Sequence, residues 1–133
     1  MATRHHRDGG GWEQAAGYAR AVRRGTRIEV SGTTVEGRGP NAPEETRRQT
    51  EEALDRALAA VAALGGSDED VVRTRLFLAP GADWREAAAA HAARLGVVAP
   101  ANTTLYVAGL IAGALVEVEV EAEVLGGSEV GAG

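Results

Sequence analysis

The hydrophobic pattern is sharpest near the C-terminus, in the stretch LVEVEVEAEV at 115–124. Val116, Val118, Val120, Ala122 and Val124 alternate with Glu117, Glu119, Glu121 and Glu123. A period of two predicts a β-strand with unlike faces, and β-branched valine favours strand over helix. The apolar face must be covered, most simply by helices. The other face is a row of carboxylates about 7 Å apart. At an effective dielectric of 20, neighbours at that spacing repel by roughly 2 kcal/mol. The row is therefore either wet or matched to basic groups elsewhere in the chain.

Earlier segments supply both the helices and the basic groups. Residues 1–11, ending in three glycines, read as a mobile leader, and 126–133 as a tail. One domain, 12–125, lies between them, and Trp12 is expected either to anchor the leader to it or to cap a pocket, anchoring being favoured. GYARAVR (17–23) and RIEVSGT (27–33) flank an Arg24-Gly25 turn and predict a hairpin, with Tyr18, Arg20 and Val22 on one face. Ser31-Gly32 lies at its end, where glycine permits close approach of a ligand or backbone, or marks a bulge or strand end. A long helix is predicted over 44–64, with Leu54, Ala57, Leu58, Val61 and Leu64 as its core stripe and Gly65-Gly66 as its stop. A short capped turn follows at 67–70. In VVRTRLFL (71–78), Val72, Thr74, Leu76 and Leu78 share one strand face, and Arg73, Arg75 and Phe77 the other. Asp83 caps a second, alanine-rich helix over 84–95, in which Trp84 is expected to pack. A fourth strand follows at 102–107.

The resulting order, β-β-α-β-α-β-β, predicts an α+β sandwich with two helices on one face of a mixed sheet. The uncovered face carries Arg and Glu, and such a half-polar face points to an oligomer.

Composition narrows the chemistry. The net charge of −5 over 133 residues disfavours a general nucleic-acid partner. No apolar run is long enough to span a membrane and the N-terminus has no secretory segment, so a cytoplasmic protein is expected. The chain has no cysteine, which removes disulfides and thiolate chemistry. All 14 of its Lys/Arg positions are arginine, which removes a Schiff-base lysine and a P-loop. Its 3 histidines are too scattered for a metal site. Neither a metal nor a cofactor is expected.

GYARAV with the following VSGT, EETRRQTEEAL, GGSDEDVVRTRLFL, APANTTLYVAGL and ALVEVEVEAEV occur in an order and spacing that resemble the Rid/YjgF family, also called the endoribonuclease L-PSP family. The resemblance covers roughly 17–124. It implies a chorismate-mutase-like fold, a homotrimer with a central barrel and helices outside, and pockets between subunits. It also implies hydrolysis of reactive enamines and imines to carbonyl compounds and ammonia. In the family an arginine in a P-A-R motif clamps the substrate carboxylate, a last-strand glutamate handles water or protons, and a tyrosine and an S-G pair shape the pocket. Those positions here are Tyr18, Ser31-Gly32 and Glu117, whereas Asn102 stands where the arginine would be.

Arginine is a permanently charged two-pronged donor and asparagine a neutral amide. Losing such a clamp costs on the order of 2–5 kcal/mol, about 30-fold or more in affinity or rate. The candidate site is therefore Glu117 as acid or base, with Tyr18, Arg20, Ser31, Gly32, Asn102, Thr103 and Thr104 for binding. Arg20 or Arg75 can replace the missing cation or instead pair with the glutamate row. Asn102, Thr103 and Thr104 can hydrogen-bond a neutral ligand. A non-catalytic ligand-binding trimer and a pathway enzyme with another substrate remain the competing functions. Ribonuclease activity is disfavoured by the acidic balance.

Overall fold

The computed structural model describes residues 2–125. The expected tail at 126–133 lies outside them. Strand β1 (Thr3–His6), a one-turn helix α1 (Glu13–Ala16) and strands β2 (Ala21–Arg24) and β3 (Arg27–Thr33) precede the long helix α2 (Ala42–Ala63). Strand β4 (Val71–Leu78), helix α3 (Trp84–Leu95) and strands β5 (Ala101–Tyr106) and β6 (Val116–Glu123) complete the chain. The six strands form one sheet in the order β1-β2-β3-β6-β4-β5. Pairing is antiparallel except between β4 and β5, which run parallel. The α+β architecture with a mixed sheet is as the sequence pattern predicts.

The glutamate strand, β6, sits at the centre. Val116, Val118, Val120 and Ala122 are buried against α2, together with Ile28 and Val30 of β3 and Leu76 and Leu78 of β4. Leu54, Ala57, Leu58, Val61 and Leu64 meet them from the helix layer, so the expected stripe is the core stripe. The helix starts two residues earlier than the pattern suggests. The Asn41 side chain accepts from Glu44 N and caps it, and Pro43 is tolerated in the first turn because its missing N–H has no intrahelical partner there. The turn at 67–70 forms a 3₁₀ segment closed by a capping box between Ser67 and Asp70.

Three expectations are corrected. Residues 3–6 are not a loose leader but the edge strand β1, whose backbone pairs with β2. The first strand begins at Ala21 rather than at 17, because Gly17 ends α1 in the left-handed conformation. On β4, Val72 is 52 % exposed while Val71 is 3 % exposed. A bulge places one extra residue on β4 between Val71 and Arg73, which pair with Ala122 and Glu121, and so turns Val72 outward.

The open sheet face matches charges across strands. Arg75 stands opposite Glu119, and its Nη1 lies 2.6 Å from Glu121 and 3.5 Å from Glu119. Arg27 pairs with Glu29 and lies 3.6 Å from Glu121. The carboxylate row is thus met by arginines of both neighbouring strands, which is one of the two readings the sequence leaves open. All six residues of β5, the sheet edge, are exposed.

Candidate functional site

The site is built on a second bulge. Val30 pairs with Val120 and Thr33 with Val118, so β3 carries one residue more than β6 over this interval. The bulge brings Gly32 over Glu117. A Cβ at Gly32 would stand 2.5 Å from Glu117 Oε2 and 2.9 Å from its Cδ, so the carboxylate can hold this position only while the residue beneath it is glycine. The Ser31 hydroxyl donates to Ala19 O at 2.7 Å and fixes the bulge; it does not border the cleft. Glu117 is half-buried, and its carboxyl is pushed above its usual 4.5, first by burial and then by Glu119, with Arg20 acting in the opposite direction.

Gly32→Ala is expected to drive the Glu117 carboxylate outward. Its titration, followed by carboxyl NMR, should then return toward 4.5, and any Glu117-dependent turnover should fall at least about tenfold. An unchanged titration would show that this contact does not hold the carboxylate.

The opposite wall comes from the segment the pattern reads as leader. The cleft, about 1280 Å³, is bordered by Gly32 and Glu117 and by Tyr18, Arg20, Asp8 and Arg56. Trp12, 59 % exposed, also borders it, the pocket position that the sequence offers as the alternative to anchoring the leader. Arg20 is 2 % exposed. Its Nη1 donates to Gly32 O at 2.6 Å and Thr33 Oγ1 at 3.1 Å, and its Nε donates to Glu13 Oε2 at 3.3 Å. Its guanidinium lies 5.5 Å from the centre of the Tyr18 ring. Arg20 therefore forms its ion pair with Glu13 and acts on the glutamate row only as a nearby charge on Glu117. Arg75 does pair with that row and is absent from the cleft lining.

Asn102, Thr103 and Thr104 do not share one site. Alternation along β5 turns Thr103 to the open face, where Arg73 donates to its hydroxyl at 2.6 Å. Asn102 and Thr104 turn to the helix face and border a second pocket, about 410 Å³, with Leu78, Trp84, Ala88, Leu105 and Tyr106. Trp84 is 47 % exposed and borders this pocket instead of packing in the core. The Tyr106 hydroxyl donates to Ala82 O.

Asn102 Nδ2 donates to Thr74 Oγ1 at 3.0 Å, and the Thr104 hydroxyl donates to Asn102 Oδ1 at 2.9 Å. Thr74 Oγ1 lies 2.7 Å from His91 Nε2. Burial lowers the His91 pKa and so favours a neutral imidazole, whose tautomer sets the direction of its hydrogen bond with Thr74.

Sequence reasoning missed Asp8 and Arg56, which border the cleft, and Glu13, the buried partner of Arg20. The signal for Asp8 lay in the charges of the N-terminal segment, which carries Arg4, Arg7 and Asp8. Among the described residues no group of three His, Cys, Asp or Glu could hold a metal ion. No helix there is long and apolar enough to cross a membrane.

The fold and this geometry define a small α+β protein with a half-buried glutamate, on its central strand, facing an arginine-lined cleft. The profile of the family described as Endoribonuclease L-PSP matches residues 12–124, and the chain belongs to that family, the YjgF/Rid group. It is 39 % identical over 123 residues to the protein SCO2049 of Streptomyces coelicolor, covering 91 % of this chain and 92 % of that one. It is also similar to Rv2704 of Mycobacterium tuberculosis, a YjgF/YER057c/UK114 family member, with 37 % identity and a TM-score of 0.82 over 92 % of this chain and all of that one. The Escherichia coli YjgF gene product is 26 % identical, with a TM-score of 0.70 over 80 % of this chain and 87 % of that one.

Proposed function

We propose that the protein is a cytoplasmic homotrimer that hydrolyses the C=N bond of an imine, or of the imine tautomer of an enamine, in a site assembled between subunits. The observation that carries this reading is Glu117. It is a half-buried carboxyl of raised pKa on the wall of a large cleft that Tyr18 and Arg20 also line. As general base it takes a proton from water as the oxygen attacks the C=N carbon. It then returns a proton to nitrogen. Collapse of the carbinolamine breaks the C–N bond, and ammonia leaves with the carbonyl compound as product. The separation of the Glu117 cleft from the Asn102 pocket within one chain supports an intersubunit site, in which the cleft of one protomer meets the pocket of the next. The exposed β5 edge and the charged open face are the surfaces available for that assembly.

A second reading, a ligand-binding trimer without chemistry, is favoured by one observation. The Asn102 amide spends donor and acceptor capacity on Thr74 and Thr104 and carries no charge for a substrate carboxylate.

Ammonia release from an imine generated in situ by an amino-acid oxidase separates the two readings. Wild type should turn the imine over, and Asn102→Arg should raise kcat/KM for a carboxylate-bearing imine by about 30-fold or more. Absence of turnover in both proteins would reject the hydrolase and leave the binding trimer.

A further inference from the structure

The Asp8 carboxylate sits in the wall of the Glu117 cleft like a bound ligand. Arg56 grips it with two prongs, Nε to Oδ2 at 2.6 Å and Nη2 to Oδ1 at 2.9 Å. Gly10 N donates to Oδ1 at 3.1 Å, and Arg20 Nε stands 3.9 Å away. Parallel two-pronged donation to both oxygens is the geometry by which arginine recognises a carboxylate. The guanidinium is itself fixed, since Arg56 Nη1 donates to Thr34 O at 2.9 Å. Its hydrogen bond with Asp8 keeps that carboxyl well below the usual carboxylate range, so the occupant is an anion at any physiological pH.

The strap bearing Asp8 is short and hinged. It runs between β1 and α1 through Gly9, Gly10 and Gly11, of which Gly9 and Gly11 have φ of +78° and +66°. The seat also reaches the candidate chemistry through Arg20. The same guanidinium lies near Asp8 and donates to Gly32 O, and Gly32 is the residue on which the Glu117 carboxylate rests.

We propose that Arg56, with Gly10 N–H and Arg20 beside it, is a seat for the carboxylate of a small ligand, and that Asp8 occupies this seat when the cleft is empty. The proposal rests on the functional reading above, because it supplies in the Glu117 cleft the anion contact that Asn102 leaves unfilled. The ligand class is a monocarboxylate small enough to share the cleft with Glu117, such as a 2-oxo acid. Its binding exchanges one carboxylate for another on Arg56 and swings the strap aside, so the Asp8–Arg56 ion pair sets the affinity.

The test is calorimetric titration of the full chain with 2-oxobutanoate and with its uncharged amide. Asp8→Asn keeps the shape of the strap and removes the competing anion. It should tighten 2-oxobutanoate at least tenfold and leave the amide unchanged. Adding Arg56→Gln to Asp8→Asn should abolish the gain, with folding of each variant verified by circular dichroism. Weaker or unchanged 2-oxobutanoate binding in folded Asp8→Asn would overturn the proposal and make the pair a latch for the N-terminal segment. Equal tightening of acid and amide would overturn it too, as would absence of binding in every variant. Because the readout is binding, a functional seat in a chain that turns over no imine would reject the hydrolase and keep the seat.

Discussion

Arg20→Met is expected to lower the unfolding free energy by about 3–5 kcal/mol, the cost of stranding one partner of a buried ion pair. For a domain of this size, that corresponds to a fall of roughly 10–20 °C in Tm. Arg20 and Glu13 are 2 % and 4 % exposed. Without the guanidinium, the contact that remains to Glu13 Oε2 from a basic group is Arg56 Nη2 at 3.9 Å, and Oε1 has no hydrogen-bond partner among the described residues. Gly32 O also loses its 2.6 Å donor. Removing both charges should be far milder, because a buried pair replaced by neutral groups is often nearly neutral in stability. Urea unfolding of Arg20→Met beside Arg20→Met/Glu13→Gln therefore separates a stranded charge from lost packing. A single variant within 1 kcal/mol of wild type would refute the argument, as would a double variant no more stable than the single.

Much of this arrangement was legible because each signal was local. The period of two in β6 gives both its buried face and its carboxylate face, and the leucine spacing in α2 gives the core stripe that covers it. The breakers Gly65-Gly66 and Gly96, with Asp83 as cap, place the ends of the helices. What was not legible depends on pairing between distant segments. β1 has no apolar alternation, since an edge strand of Thr, Arg and His is held by backbone bonds to β2 and buries little. A bulge adds a residue without any change in composition, so Val72 was assigned to the wrong face.

The site follows the same division. Glu117, Tyr18, Arg20 and Gly32 do border one cleft. Ser31 turns away to Ala19, and the Asn102-Thr103-Thr104 run is split by the alternation of its own strand. Arg56, which faces the cleft with Arg20, Arg38 and Arg48, is placed there 36 residues beyond Arg20 by the packing of α2, and no motif announced it.

Glu117→Gln should carry the largest kinetic effect. If Glu117 is the general base, its loss lowers kcat for imine hydrolysis by about 10²–10⁴-fold. The substitution keeps the side chain's shape against Gly32 and removes its ability to take a proton from water. It should not destabilise the fold at neutral pH. The carboxyl's folded pKa lies above its ordinary 4.5, so the ionised form is disfavoured in the folded state, and a neutral amide relieves that cost. The sign of the pH profile follows from the same shift. The base works when deprotonated, so wild-type kcat should fall on the acid side, with a midpoint above 4.5, and Glu117→Gln should flatten that limb. A residue that merely pairs or packs would change stability or KM and leave the acid limb in place. Rates from pH 4.5 to 8, taken with urea midpoints for both proteins, therefore decide the role. Unchanged kcat in the variant would remove Glu117 from the chemistry, whatever its effect on binding.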